Sequence, residues 1–234
     1  MLKLIKLEWK KNNISKYALS AFILAAFLCL FLFALAFLGI AEDPDGTLDA
    51  VEGMNVISAP VELFTSMSFL IFTSVMLSSF IVSAYKNKTM NLMFSYPVKR
   101  QKILVSQMLA VWIFSLAALV FTKLLIYTCL YMGSQTMESS FAIDFNMGSL
   151  SFYVQLLLKS VVIVSMSFIA LFVGMMMKSS KAAIITSFVL IFLTQANIGD
   201  FSLAGNRVFP IILTVASFTF AALSIRNAET KDLL

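Results

Sequence analysis

The side chains that could do chemistry are few, and most kinds are missing. There is no histidine, which removes imidazole bases, imidazole metal ligands and the usual switch near neutral pH. Cys29 and Cys129 lie in separate apolar runs. Two isolated thiols make neither a metal site nor a disulfide framework, and both are expected to be buried and inert. No G-x-x-x-x-G-K-[ST] stretch occurs, so the chain has no P-loop for a nucleotide. H-E-x-x-H and G-x-S-x-G are equally absent. An acidic stretch offers Asp43, Asp45, Asp49 and Glu52 as oxygen ligands. Their spacing is not that of an EF-hand, and they read as a solvated loop with no metal site.

The elements that must carry these residues are membrane helices. The sequence is 60% hydrophobic and only 12% charged, with mean hydropathy +0.94. Soluble chains run at about 45–50% apolar and about 25% charged. Uncharged runs fall at 17–41, 63–85, 103–122, 160–177, 182–199 and 208–225, of 25, 23, 20, 18, 18 and 18 residues. A hydrocarbon layer of about 30 Å needs roughly 20 helical residues. The expectation is an all-α integral membrane protein, one transmembrane domain over 1–234 with six spans near 17–41, 63–85, 103–125, 158–177, 182–199 and 207–225. The first run has basic residues before it and Ala34-Leu35-Ala36 within it. It is too long for a signal-peptide core of about 7–15 residues and reads as a retained span.

Charge sets the orientation. If the spans alternate from a cytoplasmic N-terminus, segments 1–16, 86–102, 178–181 and 226–234 hold 5, 5, 2 and 2 Lys/Arg, 14 of the 17. The opposite side holds nine of the twelve acids, Glu62 among them. The positive-inside rule then places both termini in the cytoplasm, in a multi-pass protein of the bacterial cell membrane. The net charge of +5 is thereby a matter of topology, and no nucleic-acid partner is expected. The other three cations follow a rule of distance. Lys123 lies 21 residues after Lys102, Lys159 lies 19 before Lys178, and Arg207 lies 19 before Arg226. Each separation is about 28–32 Å of helix. All three should form a basic rim at the outer interface, anchored at head groups or meeting an anionic part of a substrate. Segment 124–158 then falls outside the spans, as helix extensions or as an extracellular, interfacial or re-entrant hairpin.

Two more features need a position. Residues 2–11 put Leu2, Ile5 and Trp9 on one helical face and Lys3, Lys6 and Lys10 on another. The segment is an interfacial amphipathic helix or a basic flank that sets topology. In the second span, Thr65, Ser68, Phe72, Met76, Ser79 and Ser83 share a face. Small hydroxylated residues so arranged serve close helix packing or line a substrate path.

Between spans two and three, Tyr85–Lys102 reads YKNKTMNLMFSYPVKRQK. The lysines and Arg100 fix topology, yet the loop also carries Met90, Leu92, Met93, Phe94 and Tyr96. Lys88–Ser95 can form two helical turns that stop before Pro97. Met90, Met93 and Phe94 then share an apolar face suited to a groove in a partner, or to lipid. Lys88, Thr89, Leu92, Tyr96, Pro97, Val98 and Arg100 follow the pattern K-T-x-x-L-x-x-x-Y-P-V-x-R. In this motif, the six-span plan, the basic N-terminus and the length, the chain resembles the permeases of type-2 ATP-binding-cassette exporters, the ABC-2 membrane family. The resemblance implies that Lys88–Arg100 is the coupling helix that docks a separate ATPase. It implies a permease dimer, most simply of two identical copies, with two ATPase copies that bind ATP and magnesium. No cofactor and no enzymatic step belong to this chain on that reading. Relatives that export polysaccharide or sterol carry two re-entrant helices between spans five and six, where this sequence has only Gly199–Asn206. The likeness is nearer to small bacterial permeases of peptide export and immunity, such as bacitracin, lantibiotic and phenol-soluble modulin systems. The implied cargo is an amphipathic or hydrophobic molecule such as a cytolytic or antimicrobial peptide. A non-transporting membrane scaffold and an ion-coupled secondary carrier share the same topology and stay open, although no acid lies between the charges that bound each span.

Overall fold

A computed structural model describes residues 2–37, 58–82, 100–136, 145–195, 197–198, 201–202 and 208–230. These residues are helical except for turns and one short strand pair. The helices are α1 (Leu2–Lys11), α2 (Ile14–Phe37), α3 (Ser58–Leu77), α4 (Arg100–Thr136), α5 (Leu150–Met176), α6 (Ser180–Gln195) and α7 (Val208–Thr230). A π-helical turn, Ser78–Val82, continues α3. Between α6 and α7, β1 (Asn197–Ile198) pairs antiparallel with β2 (Phe201–Ser202).

Four helical stretches are long and apolar enough to cross a membrane: Ile14–Ala36, Ser58–Val82, Gln101–Gln135 and Leu150–Met176. The apolar stretches of α6 and α7, Ser180–Thr194 and Pro210–Arg226, are shorter. At 16 residues, α6 covers about 24 Å. The expected fifth span, 182–199, thus stops early, and its last residues enter the strand pair. The third and fourth helices differ from expectation in the other direction. With 37 residues, α4 is about 55 Å long and passes through Lys123 without a break. A charge ends a hydropathy run but not a helix, and Leu124–Thr136 contains no proline to stop one. Of the alternatives for 124–158, helix extension describes 124–136 and 150–158.

The turns have readable causes. Asn146 Oδ1 accepts from Gly148 N at 2.9 Å, an Asx turn leading into α5. At the other end of α5, Ser179 N donates to Gly174 O at 3.1 Å and Lys178 N to Met175 O at 3.3 Å. That is a Schellman cap, with Lys178 in the left-handed position at φ 47°. Asn13, at φ 49°, closes α1 in the same region, which asparagine tolerates.

The chain groups into two compact units. One comprises 1–15, 67–116 and 161–234. Its core joins Leu70 of α3, Met166 of α5 and Ile191 of α6. Gly174 meets Ala183 and Val82 so closely that an added Cβ would lie 2.7 Å from the Ala183 Cβ. Met166 with Ile191 and Gly174 with Ala183 make α5 and α6 antiparallel. Phe168–Phe218 and Phe172–Phe220 make α5 and α7 parallel, and Leu70–Met166 with Val82–Gly174 do the same for α3 and α5.

The other unit comprises 16–66 and 117–160. Phe33 packs on Gly133, where a Cβ would come within 2.6 Å of the ring. One turn earlier on both helices, the Cys29 and Cys129 thiols face each other, so α2 and α4 run parallel. Tyr127 of α4 meets Phe152 of α5 edge-on at 5.0 Å and Phe145 at 4.8 Å. Phe31 packs edge-on against Phe64 of α3 at 5.1 Å.

Candidate functional site

An internal cluster of charges stands out in the second unit. Helix α3 begins at Ser58, with Pro60 in its first turn, and so brings Glu62 to the side of α4. Lys123 Nζ donates to Glu62 Oε2 at 2.6 Å, and the lysine side chain is 0% exposed. Lys159 Nζ of α5 lies 3.8 Å from Glu62 Oε1, with its side chain 58% exposed. One carboxylate, 21% exposed, therefore bridges two ammonium groups. An unpaired buried ammonium would cost several kcal/mol, and the short charge-assisted bond offsets that cost. By the register of the α2–α4 contacts, Lys123 comes level with Ile23, seven residues beyond Lys16 and inside the uncharged run 17–41. Ionisable groups at such positions usually serve a functional pathway or its gating.

The expected basic rim is corrected accordingly. Lys123 does not snorkel to head groups; burial and Glu62 make it an internal ion pair. Lys159 is the exposed member of the same cluster. Arg207 lies outside the described residues. Glu62, read from the sequence as one more acid on the outer side, is the residue that sequence reasoning missed. Its position just inside a helix start was the available signal.

A second polar contact ties α1 to α4 in the first unit. Trp9 Nε1 donates to Ala110 O at 3.1 Å. Gln107 Nε2 donates to Glu8 Oε2 at 3.4 Å, and Asn12 Nδ2 donates to the same oxygen at 3.3 Å. Glu8 and Gln107 are buried, and Gln107 Oε1 meets no donor among the described residues. The face of α1 that packs is thus Ile5–Glu8–Asn12 with Trp9, while Leu7 is exposed. A lone acid in a segment with five lysines was the overlooked signal here.

The expected docking residues Lys88, Thr89, Met90, Leu92, Met93, Phe94, Tyr96 and Pro97 lie outside the described residues, and Arg100 is the first residue of α4. Of the expected polar face on α3, Thr65 and Met76 are buried, Ser68 and Phe72 half-buried and Ser79 exposed; Ser83 lies outside the described residues. Thr65 Oγ1 donates to Val61 O at 2.6 Å, so its hydroxyl is spent on its own helix. The π turn adds a residue to its cycle and rotates Ser79 off the α-helical stripe. The cysteines also differ from expectation. Both are free and half-buried, and they face each other instead of standing apart. No cluster of three or more metal-ligating side chains occurs among the described residues.

Comparison with known proteins gives one full-length likeness. The chain is 25% identical over 237 aligned positions to the uncharacterized protein YcbO of Bacillus subtilis (strain 168), covering 99% of this chain and 100% of that protein. No family model matches, and no solved structure matches.

Proposed function

We propose that the chain is the membrane-embedded permease of an exporter of the type-2 ATP-binding-cassette class, driven by a separate ATPase. The observation that carries this reading is the segment Lys88–Arg100, KTMNLMFSYPVKR, between the long apolar helices α3 and α4. A basic loop with an apolar face and a proline stop is suited to a partner's groove. The chain itself carries no P-loop motif for ATP. In this reading α6 and α7 complete six spans, both termini are cytoplasmic, and two copies pair. The cargo is an amphipathic molecule, with a cytolytic or antimicrobial peptide as the first candidate. The test is whether a P-loop ATPase is encoded beside the gene and, where one is, whether it co-purifies with the chain and hydrolyses ATP after joint reconstitution. Met93→Asp with Phe94→Asp should abolish both association and stimulation. Unchanged association would sink the docking role of the loop.

A second reading, an ion-coupled carrier, gains support from one observation. Glu62 is bonded to a buried lysine level with an apolar run, where the sequence had suggested no acid within the spans. Cargo flux that continues without ATP and collapses when ion gradients are dissipated would favour it over the first.

A further inference from the structure

The seam between α3, α5 and α6 is apolar at both ends and polar in the middle. At one end Leu70, Met166 and Ile191 meet. At the other, Val82 and Ala183 close on Gly174. Each end takes one residue from each helix. Between the ends, at one-turn intervals along the same faces, lie Ser74 and Ser78 on α3, Ala170 on α5 and Ser187 on α6. All four are buried, Ser74 and Ser187 at 0% exposure and Ser78 at 3%. The hydroxyls of Ser74 and Ser78 have no partner among the described residues. Neighbouring hydroxyls turn back on their own helices: Thr73 Oγ1 donates to Phe69 O at 2.7 Å and Ser187 Oγ to Ile184 O at 2.6 Å. Close packing alone needs only small side chains, and alanine, as at position 170, supplies that without the cost of an unpartnered buried hydroxyl. The π turn begins at Ser78. Where i→i+4 pairing gives way to i→i+5, a main-chain carbonyl at the changeover loses its usual partner. Oxygen atoms thus gather in a short interval with apolar ends.

We infer that Ser74, Ser78 and Ser187, with main-chain oxygen of the π turn, form an occluded binding site for a sodium ion. The Ser187 hydroxyl gives its hydrogen to Ile184 O and keeps lone pairs to offer inward. Hydroxyl and carbonyl oxygens replace the hydration shell of an alkali cation without help from an acid. No Lys or Arg lies in 70–82, 166–174 or 183–191, so an anion would find no cationic partner there. The closed ends of the seam select a small ion, and the bound ion ties the three helices together. The inference goes beyond the transport reading and rests on neither ATPase nor cargo.

The experiment uses the full chain, purified in detergent in choline chloride, with sodium, potassium or further choline added at equal ionic strength. The thermal unfolding midpoint, read through the fluorescence of Trp9 and Trp112, should rise saturably with sodium, less with potassium and not with choline. Equilibrium binding of radioactive sodium should saturate over the same range. Ser74→Ala and Ser78→Ala should each weaken that binding by about tenfold, the scale of one ligand to a charged group. Each removes a hydroxyl that bonds to no described protein atom, so both variants are expected to fold, and their helical circular dichroism provides the check. Equal midpoints in sodium and choline, with no bound sodium, overturn the site. Undiminished sodium binding in both variants also overturns it and places the ion elsewhere. Equal responses to sodium and potassium overturn the assignment to a small cation. Midpoints that rise in the alanine variants and ignore sodium throughout overturn the site as well, and mark the two serines as a hydrated joint between helices.

Discussion

At the scale of single residues, the pair Lys123–Glu62 illustrates how burial changes what a charge is for. An ammonium with no exposed surface is tolerated because a carboxylate lies 2.6 Å away. Removing one partner strands the other, at a cost of about 3–5 kcal/mol, whereas removing both can be nearly neutral. Glu62→Gln and Lys123→Met should therefore each lower the thermal unfolding midpoint strongly, read through the fluorescence of Trp9 and Trp112. The double variant should lose much less than the sum. Additive losses would mean that the two groups do not support each other. Sequence could name Lys123, because a cation between apolar runs is visible in a count. It could not name the partner, which lies 61 positions away and looks like any acid of an outer loop. The same blindness applies to Glu8 and Gln107, 99 positions apart. Pairing across helices is a product of the fold, and no local pattern encodes it.

At the scale of elements, two close features separate what packing demands from what the sequence tolerates. Gly174 lets α5 approach α6, with the Ala183 methyl where its own Cβ would be. Neither contact atom can swing away, so Gly174→Ala should cost about 1–3 kcal/mol. Pairing it with Ala183→Gly should recover most of that loss in a thermal melt. No recovery would place the strain elsewhere. Lys178 is the opposite case. It adopts the left-handed conformation at the Schellman cap, where a side chain costs about 1–2 kcal/mol and glycine is preferred. Lys178→Gly should raise the unfolding midpoint, by an amount matching about 1 kcal/mol. A lower midpoint would mean that the lysine charge stabilises the turn more than its backbone strain harms it. Helix existence was legible in the hydropathy runs, and so was the start of α3 at Ser58. Helix length was not. Lys123 and Lys159 divide the hydropathy of α4 and α5 without interrupting their backbones, and the π turn after α3 leaves no mark in a count of polar spacings.

At the scale of the whole molecule, the helix directions fixed within each unit agree with a chain whose long helices alternate in direction. In the unit of 1–15, 67–116 and 161–234, α6 runs against α3, α5 and α7; in the other, α2 and α4 run together. That alternation was the premise from which the charge count assigned sides, and it makes a direct prediction. Helix α5 has 27 residues, about 40 Å, more than a hydrocarbon layer of about 30 Å. If it crosses that layer, its two ends lie on opposite sides of the membrane. Lys178 and Lys181 follow one end, and Asp144 precedes the other, so the positive-inside rule predicts that the Lys178 end is the cytoplasmic one. Leu150 and Met177 are both exposed at these ends. In a background with Cys29→Ser and Cys129→Ser, Leu150→Cys should react with a membrane-impermeant maleimide on intact cells. Met177→Cys should react only after permeabilisation. Labelling of both on intact cells would mean that α5 does not cross. Labelling of Met177→Cys alone would reverse the orientation, and the loop 83–99 would then face away from any cytoplasmic ATPase, removing the premise of the exporter reading along with it.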